Sequence, residues 1–77
     1  MESTMKLGMI IKQGTEKEVR KEYDELLQKA KDGYADLVYE FEDDELGTFQ
    51  IKDENMKITF SLSKSLGDEY AIYQIFE

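Results

Sequence analysis

Cysteine, histidine, proline and tryptophan are all missing from this chain of 77 residues. Without cysteine there are no disulfide staples, and without cysteine or histidine neither a thiolate nor an imidazole metal site exists. The same two absences remove the commonest players in nucleophilic and general-base catalysis. What remains for chemistry is carboxylate, lysine, serine and tyrosine. Long apolar runs are missing too. The longest are Gly8-Met9-Ile10-Ile11 and Tyr70 to Phe76 with Gln74 inside it, far short of the roughly 20 residues of a membrane-spanning helix. Met1-Glu2-Ser3-Thr4 is acidic and polar where a secretory leader is basic and apolar, so the expected location is cytoplasmic.

Basic residues are the other scarcity. Ten Lys and Arg face eighteen Asp and Glu, for a net charge of −8, which opposes direct binding to nucleic acid or to an anionic membrane and favours basic partners or plain solubility. The imbalance is uneven. From Glu16 to Lys31 five acids (Glu16, Glu18, Glu22, Asp24, Glu25) meet five bases (Lys17, Arg20, Lys21, Lys29, Lys31), an ordinary salt-laced helical face. After Lys31 twelve acids meet only Lys52, Lys57 and Lys64, and the densest run is Glu40-Phe41-Glu42-Asp43-Asp44-Glu45.

The length fits one domain, residues 1–77, with residues 1–4 expected to fray. Its stability must come from packing alone, about 4 to 12 kcal/mol at the usual per-residue figure. Met5 to Lys12 alternates Met5, Leu7, Met9 and Ile11 against Lys6, Gly8, Ile10 and Lys12, the pattern of a strand with one buried face. Thr15-Glu16-Lys17-Glu18 is a capping box, and Val19, Tyr23, Leu26, Leu27 and Ala30 form one apolar stripe, predicting a helix from Glu16 to Lys31 that stops at Asp32-Gly33. Tyr34 to Glu42 reads as a second strand, with Ala35, Leu37, Tyr39 and Phe41 inward and Asp36, Val38, Glu40 and Glu42 outward. Asp43 to Gly47 is a hairpin loop, Thr48 to Lys52 a third strand burying Phe49 and Ile51, and Asp53-Glu54-Asn55 a tight turn. Met56, Ile58, Phe60 and Leu62 alternate with Lys57, Thr59, Ser61 and Ser63 over a fourth strand. After a loop from Lys64 to Asp68, the fifth strand, Tyr70 to Phe76, is apolar on both faces.

The predicted fold is therefore α+β: a two-layer sandwich with one helix on a mainly antiparallel five-stranded sheet, in the order β-α-β-β-β-β. The helical crossover permits a parallel pairing of the first two strands without requiring it, so strand order stays open.

Catalysis finds little footing. A glycosidase-like carboxylate pair needs one desolvated acid in a cleft, whereas Glu40 and Glu42 are expected on the solvent side of a strand. Ser61, Ser63 and Ser65 near Lys64 suggest a Ser-Lys arrangement, yet Ser61 and Ser63 fit the exposed half of an alternating strand. Free amides at Gly14-Thr15 would suit an anion, but Glu16 and Glu18 already place negative charge there, which reads as capping. Asp43, Asp44, Glu45 and Asp53 offer hard oxygen donors, but not in the spacing of a calcium loop. The expectation is a protein that is not an enzyme and has no metal and no cofactor.

Two surfaces stand out. The first is acidic: Asp36, Glu40, Glu42, Asp43, Asp44 and Glu45, with Asp36, Glu40 and Glu42 about 6.6 Å apart along the outer sheet face. Such a field steers a domain toward a basic protein surface. The corresponding function is a small acidic inhibitor or nucleic-acid mimic occupying a nucleic-acid-binding enzyme or regulator. The blander account is that Lys6, Lys12, Lys52 or Lys57 neutralises these acids across strands and that they guard an exposed edge. The second surface is apolar: Ile10, Val38, Tyr73 and Ile75 share the outer face and would be covered by a homodimer or a docked partner. The alternative function is thus a homo-oligomeric structural or accessory domain, with long neighbouring side chains shielding the patch as the plain reading.

Overall fold

The computed structural model describes residues 7–65 and 67–76. The expected fraying of residues 1–4 and the expected start of the first strand at Met5 and Lys6 lie outside the described residues. The order is β1 (Leu7–Gly14), α1 (Glu16–Lys29), β2 (Asp36–Glu42), β3 (Gly47–Asp53), β4 (Met56–Lys64) and β5 (Tyr70–Phe76). One helix packs on a five-stranded, fully antiparallel sheet, so the molecule is the α+β sandwich its alternation predicts.

The helix begins where the capping box places it. Thr15 Oγ1 accepts from the amide of Glu18, and the Glu18 carboxylate accepts in return from the Thr15 amide, satisfying amides that have no intrahelical acceptor. Those contacts hold the Glu18 carboxyl below its ordinary range, the backbone amide of Thr15 contributing most and its hydroxyl next. The α-helix ends two residues before the predicted Lys31, and the chain unwinds through a wider π-helical turn, Ala30–Tyr34. Gly33 closes it at φ 100°, a left-handed conformation that glycine adopts without steric cost.

The sheet order is β1-β5-β4-β3-β2. The helix thus carries the chain from one edge of the sheet to the other, and β1 and β2 are not partners. Three hairpin connections, all short, place β2 through β5 side by side, and β1 completes the sheet against β5. Val19, Tyr23, Leu27 and Ala30 of the helical segment meet Phe49, Phe60, Leu62 and Ile72 in one core. Phe49 is its centre: its ring stands edge-on to Tyr23 at 5.4 Å and stacks on Phe60 at 5.0 Å. Burying side chains of this size contributes roughly 1.5–3 kcal/mol each, so the small central set carries the fold.

Both edge strands depart from simple alternation. The β1–β5 register skips Ile11, and the β2–β3 register skips Val38. Each is a bulge that twists an edge and interrupts its row of free backbone groups, which discourages edge-to-edge association. The bulges also correct the expected burial of Ile11, Tyr39 and Phe41, which simple alternation assigns to the inward face and which are exposed. Met9 and Met56 keep the helix-side register and are exposed as well.

Candidate functional site

The bulge at Val38 decides where the acidic strand points its carboxylates. Before it, Asp36 lies opposite Lys52 on the outer face and Leu37 opposite Ile51 on the helix face. Beyond it the pairs are Tyr39 with Gln50, Glu40 with Phe49, Phe41 with Thr48 and Glu42 with Gly47. Since one inserted residue sends every later side chain to the opposite face, Glu40 and Glu42 lie on the helix side and Tyr39 and Phe41 on the outer side, the reverse of the simple alternation. The expected row of Asp36, Glu40 and Glu42 on one face does not form.

Each displaced glutamate meets a cation from the helical segment. Lys31 Nζ reaches Glu40 at 3.2 Å, and the Arg20 guanidinium grips Glu42 at 2.5 Å. Arg20 also donates to the Asp44 carbonyl at 3.3 Å and lies 4.0 Å from Glu16. The hairpin loop then folds over Asp43, whose Oδ1 accepts from the amides of Glu45 at 2.9 Å and Leu46 at 2.8 Å. Those two amides hold the Asp43 carboxyl below its ordinary value, with Arg20 adding a smaller pull in the same direction. Of the six acids expected to form a binding surface, three are therefore engaged at the helix side and in the loop, and Asp36 is on the other face of the sheet. Asp44 and Glu45 remain exposed at the loop tip. Among the described residues no group of three acids is placed to hold a metal ion.

The outer face is built by two rows that cross the whole sheet. One runs Ile10, Tyr73, Ser61, Thr48, Phe41; the next runs Gly8, Ile75, Thr59, Gln50, Tyr39. Gln13, Ala71 and Ser63 lie beyond the first row, and Lys57, Lys52 and Asp36 beyond the second. Along each row, apolar residues stand at both margins and small polar ones at the centre. The central groups satisfy one another: Gln50 Nε2 donates to Thr59 Oγ1 at 3.0 Å, and the Thr48 and Ser61 hydroxyls share a hydrogen bond at 3.2 Å. Gln50 and Thr59 are only 8% and 7% exposed. The margins are open, with Ile10 49% exposed, Tyr39 46% and Phe41 54%.

Ile10, Tyr73 and Ile75 therefore come together as expected, at the β1–β5 margin. Val38 does not join them: it is the bulge residue of the far edge, three strands from β5 or roughly 14 Å away. Tyr39 and Phe41, which the alternation placed in the core, take its place as the apolar margin there. One signal in the sequence anticipates this. Arg20 and Lys31 are eleven residues apart, three helical turns, and flank the same side of the apolar stripe, a spacing that lets both meet carboxylates of one facing strand.

Nine of the ten positions in the two long rows carry a side chain, and none of these is charged; Asp36, Lys52 and Lys57 beyond them sum to +1. A protein of net charge −8 thus presents one face free of its excess acid. Comparison with protein-family models, with curated proteins and with solved structures yields no match.

Proposed function

We propose that this protein is a non-catalytic interaction domain that docks through the uncovered outer face of its sheet onto an uncharged, partly apolar protein surface. The observation that supports this reading is the segregation of charge: Glu40 and Glu42 lie on the helix side and Asp43, Asp44 and Glu45 in the loop, while aromatic and aliphatic side chains stand at both margins of two sheet rows that carry no charge. Interface cores are depleted in charge, as the two long rows of this face are. Its central hydroxyls and amide already bond to each other, so covering them strands few polar groups. The acids serve solubility and orient the domain, excluding wrong encounters on its other surfaces.

Capture by a basic, nucleic-acid-binding surface has weaker support in this geometry, because Glu40 and Glu42 are paired with Lys31 and Arg20 and Asp36 lies on the other face of the sheet. The two readings separate by mutation. Phe41→Glu together with Ile10→Glu abolishes partner docking, whereas reversing Asp44 and Glu45 to lysine leaves it intact. The opposite pattern, capture lost on acid reversal and kept on outer-face substitution, overturns the proposal.

A further inference from the structure

We draw no further inference here: the strongest candidate, the half-buried apolar row of Phe76, Ile58, Ile51 and Leu37 on the helix side of the sheet, is an unpartnered face, and nothing in the structure shows what covers it.

Discussion

Tyr23 is the residue on which the two layers close. It is fully buried, its ring meets Phe49 edge-on, and its hydroxyl has no hydrogen-bond partner among the described residues. Burial pushes its pKa well above that of ordinary tyrosine, and the nearby charges of Glu42 and Glu40 push the same way. An unpartnered buried hydroxyl costs about 1–3 kcal/mol of desolvation. Tyr23→Phe, which deletes it and keeps the ring, is therefore expected to leave stability unchanged or raise it by about 1 kcal/mol in urea unfolding. The neutral phenol is required in the folded state. Its contribution is complete below the unfolded pKa of about 10 and declines as pH rises toward the higher folded value. Alkaline titration of the unfolding midpoint should accordingly show a fall above about pH 10 that is reduced in Tyr23→Phe. The same ring explains Gly47. A β-carbon there would sit 2.9 Å from Tyr23 Cζ and 3.1 Å from its hydroxyl oxygen, and a buried ring has little room to yield. Gly47→Ala should destabilise the protein by about 1–3 kcal/mol, the range for overpacking a core. Pairing Gly47→Ala with Tyr23→Phe should recover part of that loss.

Among the elements, α1 and β5 were the most legible. A capping box names its own first residue, and Thr15→Ala should lower stability by about 1 kcal/mol. The turns at Asp43 to Gly47 and Asp53 to Asn55 were likewise visible, because aspartate and glycine supply conformations that strands lack. β1 and β2 were misread beyond their bulges, for one physical reason. Alternation is a local rule, and a residue that drops out of register leaves no compositional mark when its neighbours are also apolar, as in Leu37-Val38-Tyr39 and Ile10-Ile11. Val38 makes a direct test. Deleting it forces a choice between sending Glu40 and Glu42 to the outer face, away from Lys31 and Arg20, and shifting the whole β2 register on β3. Either outcome should lower the thermal midpoint by several degrees, more than Val38→Ala, which keeps the bulge and trims an exposed side chain.

At the scale of the whole molecule, charge opposes compaction. Eighteen acids against ten bases leave an excess that a few partly exposed ion pairs do not cancel, since such pairs contribute about 0–1 kcal/mol each. Added salt screens that repulsion over about 10 Å at 0.1 M, so the urea midpoint should rise with sodium chloride. A fall would mean that the Arg20 and Lys31 pairs outweigh the excess. Acid acts in both directions. Protonation relieves the repulsion, yet Glu18 and Asp43, whose folded pKa values are depressed, contribute stability above about pH 4 that is lost as pH falls through their folded values. The residue order alone determined the α+β class, the capped helix, the turns and the inventory of absent chemistries, because propensity, capping and periodicity are decided by near neighbours along the chain. Tertiary structure alone decided the order of the strands, the two bulges and the face each carboxylate takes. Those depend on pairing between residues far apart in sequence, and a single unpaired valine is enough to exchange an acidic sheet face for one that carries none of the excess charge.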